Sequence, residues 1–450
     1  MMRPGGGISS AHAPDLDLPA RFMVLGMVDL LAVAVLAPFA VPLFAGSFSD
    51  LRLLAFVHLN TLGVVAAVIL GATYQLVPVV LQTPLASVRV GRLSFWAFLV
   101  GLSFLLPGLL TLRHWAMGTG ATLLVVAFLL YIGVVGTTLR RAQRWDVVAW
   151  HLAVALVGLA GGIFAGLLLA GSKGNGFLGA MTYPLLGAHV TFLLAAWVPV
   201  LLAGVAYRLV GMFTLAEDAL WRPAAWAGLV LMTGGAWLLI AAFLLRTDPV
   251  VRLVAALAIA AGQILFAAQL VHLYRARRRR GFDVHIPFAL VSAGGGTAAA
   301  LLLVAGMALG LRPSSALWVA VVWLTLGGLA ETAIQGFFYK IATFLVWLHR
   351  YAPLAGRQRV PRLEEMYYRR LAVAGWLLWT AGLALSLAVA PLGNAALGRI
   401  AGMVLAAGLA CFLINVGRIA GHGLSNVTVW FRRTPTPRVG SGATEDGVVS

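Results

Sequence analysis

Long apolar stretches separated by short charged or proline-containing breaks run through most of this 450-residue chain. Twelve of them reach the ~20 residues that an α-helix needs to cross the hydrocarbon core of a bilayer. The pattern predicts helices over residues 22–45, 53–81, 93–112, 115–139, 147–171, 185–213, 224–245, 250–273, 286–311, 316–348, 371–392 and 396–419. Only 10% of the residues are charged, against roughly 25% in soluble domains. We therefore expect an all-α integral membrane protein.

Basic residues fall mainly on one side of these predicted helices. With the amino terminus on that side, 25 of the 32 Lys and Arg residues lie there, and cytoplasmic loops are the ones that accumulate such residues. We expect both termini to be cytoplasmic and the protein to be a multi-pass protein of the inner cell membrane. The net charge of +18 then reflects orientation and lipid contact rather than nucleic-acid binding.

The predicted organisation is a single membrane domain, residues 22–430, between a disordered cytoplasmic segment, 1–21, and a disordered cytoplasmic tail, 431–450. Within the domain, the second, sixth and tenth helices each contain Gly, two further residues and Tyr. The three pairs are Gly71 and Tyr74, Gly204 and Tyr207, and Gly336 and Tyr339. The tyrosines are 133 and 132 residues apart, so each interval spans four helices. The spacing predicts three four-helix repeats, about 22–139, 147–273 and 286–419, arranged as pseudo-threefold arcs.

This organisation resembles subunit I of the heme-copper oxidase superfamily, which includes the catalytic subunits of cytochrome oxidases and nitric oxide reductases. In that family the second, sixth and tenth helices carry the metal-ligating histidines in their outer third. Here His58 and His189 occupy such positions in the second and sixth helices. The resemblance implies that the chain binds haem, b-type in the first instance, with His58 as an axial ligand to the iron and His189 as a further candidate.

The rest of the family pattern is missing. Residues 224–245, the seventh helix, contain no histidine, so no copper centre of the family type is expected. The offsets of His58 and His189 before their repeat tyrosines, 16 and 18 residues, point in the tenth helix to Trp323 and Val321, neither of which ligates iron. At 100° per residue these offsets differ by about 200°, so we expect the two histidines to face different regions. The single cysteine, Cys411, excludes an internal disulfide.

The resemblance places the haem in an apolar pocket among helices 1, 2, 10, 11 and 12. Asn60 and Thr61 are expected to orient the His58 imidazole or to accept a haem propionate. Met403 is the substitute for a sixth ligand, and without it the iron would be five-coordinate. The alternative for both histidines is a hydrogen bond to a neighbouring carbonyl group.

A polar stripe lies in the tenth helix, where Glu331, Gln335 and Tyr339 follow one another at four-residue steps. The stripe predicts a path for protons, water or a substrate, or alternatively a hydrogen-bonded clamp between helices. Asp29 in the first helix is expected to make a structural hydrogen bond. Three polar residues at one repeat position are expected to reach the headgroups by snorkelling, and these are Gln75, Arg208 and Lys340.

Two functions from different classes remain open. The first is a haem-binding relative of oxidase subunit I without an oxygen-reducing centre, acting in O2 or NO binding, electron transfer, or the support of respiration or denitrification. If it is an enzyme, it would be a haem-dependent oxidoreductase, and a cytochrome or another respiratory subunit would be its partner. The second is a channel or transporter that uses the same three-pore scaffold.

Overall fold

The computed structural model describes residues 16–278, 283–312 and 316–424, and within them the secondary structure is helical, without strands. Twelve helices are long and apolar enough to cross a membrane, which confirms the predicted all-α membrane fold. They are α1 (Asp17–Ala45), α2 (Leu51–Leu81), α3 (Val88–Thr111), α4 (His114–Arg140), α5 (Val147–Asn175), α6 (Gly179–Thr214), α7 (Arg222–Leu244), α8 (Pro249–Arg275), α9 (His285–Ala308), α10 (Ala316–Arg350), α11 (Arg369–Leu392) and α12 (Ala395–Gly423).

The first helix begins earlier than the apolar pattern predicts. Asp17 lies 2.9 Å from Arg21 one turn later and 2.9 Å from Arg92 at the start of α3. Because these ion pairs stabilise a charged first turn, residues 17–21 are helical rather than disordered. Residues 1–15 and the tail predicted over 431–450 lie outside the described residues.

Nine helices form a closed outer ring around the other three. Around the ring α1 packs on α3, then α4, α5, α7, α8, α9, α11 and α12 follow in turn, and α12 returns to α1. The enclosed helices are α2, α6 and α10, and 72%, 67% and 67% of their most apolar windows are buried, against 39% to 50% in the other nine. The three helices that carry the Gly and Tyr pairs are therefore the interior of the bundle.

Each enclosed helix packs against one set of three neighbours. Helix α2 contacts α1, α3 and α4; α6 contacts α5, α7 and α8; and α10 contacts α9, α11 and α12. The helices thus group into three units of four consecutive helices with the same internal contacts: unit one is α1–α4, unit two is α5–α8 and unit three is α9–α12. This grouping agrees with the repeat read from the tyrosine spacing.

The repeat tyrosine lies between two aromatic rings in each unit. One ring comes from the first helix of the unit and the other from the fourth, with centroids 5.4 to 6.1 Å from the tyrosine ring. The three sets are Phe22, Tyr74 and Tyr131; His151, Tyr207 and Phe266; and Phe288, Tyr339 and Phe412. The repeat is therefore a shared packing motif as well as a sequence spacing.

The repeat glycine permits this packing because a side chain at its position would overlap the first helix. A Cβ atom on Gly71 would lie 2.8 Å from the Pro19 carbonyl oxygen and 3.0 Å from Phe22 Cβ. A Cβ atom on Gly204 would lie 2.5 Å from His151 Cβ, and one on Gly336 would overlap Phe288. The glycine and the tyrosine three residues later thus contact the same residue of the first helix.

Each enclosed helix also contains a π-helical segment on the outer side of its tyrosine. These segments are Leu59–Ala66 in α2, Phe192–Trp197 in α6 and Leu324–Glu331 in α10. π-helical turns are rare and are frequent at functional sites. The segments of α2 and α10 contact one another, so irregular backbone from two units meets in the interior.

The glycine contact makes a prediction about stability. Gly71→Ala should destabilise the purified protein by about 1–3 kcal/mol, the usual cost of overpacking, because a backbone carbonyl cannot rotate away. Gly294→Ala is the matched control, since a Cβ atom there meets nothing within 4 Å. Thermal unfolding in detergent measures both variants. Equal melting temperatures would contradict the proposed role of the glycine.

Candidate functional site

The polar stripe of α10 is fully enclosed. Glu331, Gln335 and Tyr339 are 0%, 1% and 2% exposed. Tyr339 accepts a hydrogen bond from Asn415 Nδ2 in α12 at 3.2 Å. In contrast, both carboxylate oxygens of Glu331 and both amide atoms of Gln335 have no hydrogen-bond partner among the described residues. The clamp alternative therefore applies to Tyr339 but not to the other two side chains.

Further polar atoms lie on α1 and α2 at a similar depth. Asp29 packs on the π-helical segment of α2, where a Cβ atom on Gly63 would lie 2.7 Å from Asp29 Oδ2. Within the described part of the chain neither that oxygen nor Asn60 Oδ1 has a hydrogen-bond partner. A structural hydrogen bond is expected for Asp29, and its Oδ2 atom does not make one among the described residues. Each carboxyl group lies about two helical turns outward of an aromatic residue in the packing motif of its unit. Asp29 lies seven residues from Phe22, and Glu331 lies eight residues from Tyr339.

What these buried polar groups can do depends on what satisfies their hydrogen bonds. A buried polar atom without a partner is costly, and an isolated ionised carboxylate in an apolar interior is costlier still. Bound water or a small polar solute would satisfy the carboxyl and amide groups of Glu331 and Gln335, and a carboxyl can also give up or accept a proton. Ionisable groups inside membrane helices commonly mark ion or proton pathways.

The two histidines singled out by the sequence make similar hydrogen bonds. His58 Nδ1 donates to the Leu54 carbonyl oxygen at 2.8 Å, and His189 Nδ1 donates to the Gly162 carbonyl oxygen at 2.9 Å. The alternative of a hydrogen bond to a carbonyl is thus present at both positions. It also leaves the Nε2 lone pair of each imidazole for a ligand, because only Nδ1 carries the proton.

The expectation that the two histidines face different regions is wrong. His58 lies within electrostatic range of both His189 and Lys173, the latter near the end of α5. The offsets give an angle within each helix, and they do not fix how α2 and α6 are rotated relative to one another in the bundle. The structure therefore brings His58 and His189 together on the α5 and α6 side of α2.

The pocket expected for haem is filled by aromatic side chains. Trp323, which stands where a haem ligand of α10 is expected, packs on Phe44 and Phe56 with centroids 5.2 and 6.5 Å away. Its Nε1 donates to Ser386 Oγ in α11 at 2.6 Å. Phe56 and His58 are two residues apart and so point to opposite sides of α2. The residues among α1, α2, α10 and α11 do not fit a haem held by His58.

The supporting residues predicted for that pocket do not lie as expected. Met403 is 51% exposed on the outward face of α12, opposite the buried Ala401 and Leu405, so its sulfur is not available as a sixth ligand there. Asn60 Nδ2 donates to the Phe56 carbonyl at 2.7 Å, and Thr61 Oγ1 donates to the His58 carbonyl at 3.4 Å. Neither orients the imidazole. Within residues 16–278, 283–312 and 316–424, no three His, Cys, Asp or Glu side chains gather as a metal site.

A buried charge cluster that the sequence analysis missed joins α9 and α10 at their cytoplasmic ends. Asp283 Oδ2 pairs with Lys340 Nζ, and Asp283 Oδ1 lies 2.8 Å from His285 Nδ1. Lys340 also lies 5.4 Å from the ring centroid of Phe213 at the end of α6. All three members of the cluster are buried. The signal available in the sequence was the pair Asp283 and His285 immediately before an apolar stretch.

The cluster changes the interpretation of two residues. Snorkelling is wrong for Lys340 and Gln75, which are 6% and 3% exposed, because Lys340 finds a carboxylate inside the protein. Arg208 pairs with Glu217 at 3.4 Å at the surface.

The charges around Asp283 shift its pKa. Burial alone would raise the pKa of the Asp283 carboxyl, but His285 and Lys340 more than offset that effect, so the pKa lies below its ordinary value.

The comparisons with known proteins leave the family open. No protein-family model matches the chain, and no curated protein matches it. The chain is a polytopic twelve-helix membrane protein that contacts the lipid bilayer.

The charge cluster makes a prediction about acid stability. Asp283→Asn should cost about 3–5 kcal/mol at pH 7, the usual effect of breaking a buried ion pair. Because the folded pKa of Asp283 is lowered, its contribution is present above the ordinary carboxyl pKa and is lost as the pH falls toward the folded value. The difference in melting temperature between the wild type and Asp283→Asn should therefore shrink on acidification.

Asp50→Asn is the control for this variant, because Asp50 pairs with the largely exposed Arg52 and such surface pairs contribute at most about 1 kcal/mol. A melting temperature for Asp283→Asn equal to that of Asp50→Asn at neutral pH would refute the structural role of the cluster.

Proposed function

We propose that this chain moves protons across the membrane through the interior of the bundle, with Glu331 as the central proton-carrying group. The observation that carries the proposal is the set of four polar side-chain atoms of Glu331 and Gln335, all buried and without a partner in the described part of the chain. An ionisable side chain at this depth of a membrane helix raises the free energy of insertion, so we expect it to have a functional role. Proton transfer requires a carboxyl that exchanges its proton with water, and a carboxyl fixed by protein partners would not suit it.

The surroundings of Glu331 support this role. It is the last residue of a π-helical segment, and the equivalent segment of α2 contacts that one. Asp29 lies against the α2 segment with a buried oxygen atom that also has no partner among the described residues. Two carboxyl groups, one on α1 and one on α10, thus lie at the two π-helical segments that contact one another. The lipid-embedded topology and the basic residues on one side favour a position in the inner cell membrane.

The proposal predicts the effect of removing the acid. Glu331→Gln keeps the size of the side chain but cannot carry a proton, so proton flux should fall by about a hundredfold, the low end of what a positioned proton-transfer group contributes. The purified protein is reconstituted into liposomes that contain a pH-sensitive dye, and a potassium gradient with valinomycin drives the flux.

The control is Glu217→Gln, which removes an acid at the protein surface and should leave the flux unchanged. The proposal fails if wild-type liposomes are no leakier to protons than protein-free liposomes, or if Glu331→Gln conducts as the wild type does.

A second candidate function is haem binding in gas sensing or electron transfer, alongside a respiratory partner. The observation that favours it is the pair His58 and His189, each with Nδ1 fixed by a carbonyl and Nε2 left for a ligand. Neutral imidazoles of this kind are the usual axial ligands of a b-type haem. A haem would supply redox or gas-binding chemistry, and His58 and His189 are the residues that would hold it.

An absorption spectrum tests the second candidate. Haem binding predicts a Soret band that shifts on reduction, is lost in His58→Ala and is kept in His114→Ala, whose imidazole lies at the start of α4. A colourless wild-type protein, or a full spectrum in His58→Ala, would exclude His58 as a haem ligand.

A further inference from the structure

The second of the three units breaks the repeat in a way that introduces polar atoms. In units one and three, the ring that the first helix places on the tyrosine is Phe22 or Phe288. In unit two that ring is His151, 5.5 Å from the Tyr207 ring and perpendicular to it. His151 is fully buried, and its Nδ1 donates to the Val147 carbonyl at 2.6 Å. Its Nε2 has no hydrogen-bond partner among the described residues.

The same unit lacks the group that satisfies the tyrosine hydroxyl in the other two. Tyr74 shares a hydrogen bond of 2.8 Å with Ser94 Oγ, and Tyr339 accepts one of 3.2 Å from Asn415 Nδ2. The Tyr207 hydroxyl is buried, and it has no partner within the residues that the structure describes. Gly228, the seventh residue of α7, occupies the place that Ser94 holds as the seventh residue of α3.

A third polar group completes the asymmetry. Gln269 follows Phe266 by three residues, as Asn415 follows Phe412 in unit three, and it is 2% exposed. Gln269 Nε2 has no hydrogen-bond partner in the described part of the chain. The imidazole, phenol and amide of unit two therefore each retain an unsatisfied atom at positions that the other units fill with apolar or mutually bonded side chains.

Space is available beside the Tyr207 hydroxyl. A Cβ atom on Gly228 would lie 3.7 Å from Tyr207 Oη, and its other near neighbours would be at 3.6 and 3.8 Å. These are ordinary van der Waals distances, so the glycine leaves room for a small group where unit one has a serine side chain. A buried water needs two to four polar partners, and His151, Tyr207 and Gln269 can supply three.

We propose that unit two holds an internal water-binding site bounded by His151, Tyr207 and Gln269, with the missing side chain of Gly228 providing the space. Water there bridges the three groups and replaces the direct hydrogen bonds of units one and three. The inference rests on the comparison of the three units and is independent of proton movement through Glu331.

Radiolytic hydroxyl footprinting of the whole protein in detergent tests the site, because radicals formed from bound water label the side chains that contact it. Tyr74 is the internal control, since it is buried at the equivalent place of its unit and is hydrogen-bonded to Ser94. Tyr207 should be labelled several times faster than Tyr74. Equal labelling of Tyr207 and Tyr74 would overturn the proposal.

Two substitutions make unit two resemble units one and three. Gly228→Ser supplies the hydroxyl that Ser94 gives to Tyr74, and its Cβ atom would meet its neighbours at ordinary van der Waals distances. His151→Phe restores the ring of units one and three. Each should reduce labelling of Tyr207 to the rate of Tyr74, while Gly294→Ala, at an open surface position, should not. Unchanged labelling of Tyr207 in a well-folded Gly228→Ser protein would refute the site, whether or not His151→Phe folds.

Discussion

Inside a lipid-embedded bundle, every polar atom has to be satisfied by the protein itself or by water that the protein admits. Helices α2, α6 and α10 are enclosed by the other nine, so this constraint is strictest on them. Most of their hydroxyl groups meet it locally. Thr73, Thr191 and Thr343 each donate to a carbonyl one turn earlier. Glu331 and Gln335 do not, and the proposed function follows from that exception.

The three units solve one packing problem and differ in their polar chemistry. Each brings a glycine of the enclosed helix against the first helix and places the following tyrosine between two rings. The hydrogen bonding of the tyrosine hydroxyl differs between the units. Ser94 bonds to Tyr74 in unit one and Asn415 bonds to Tyr339 in unit three, whereas the Tyr207 hydroxyl of unit two has no partner among the described residues. A repeated scaffold can thus carry a different polar site in each copy without a change in helix packing.

Sequence reasoning predicted the fold well because its signals are local. Apolar length determined the twelve helices, and the glycine and tyrosine spacing indicated the units. It predicted the site less well, because side-chain direction depends on backbone that the sequence does not reveal. His58 lies near His189 rather than toward α10, and Phe56 takes the position that packs on Trp323. Lys340 was misread because its partner, Asp283, lies 57 residues away in the chain.

The central claim is that Glu331 and Gln335 are hydrated inside the membrane, and a cryo-electron microscopy map at a resolution that shows ordered water tests it most directly. The account predicts density for water or a small solute within hydrogen-bond distance of the Glu331 carboxyl and the Gln335 amide, on the α10 face that they share. A dry interior in which both side chains bond directly to protein groups would contradict it.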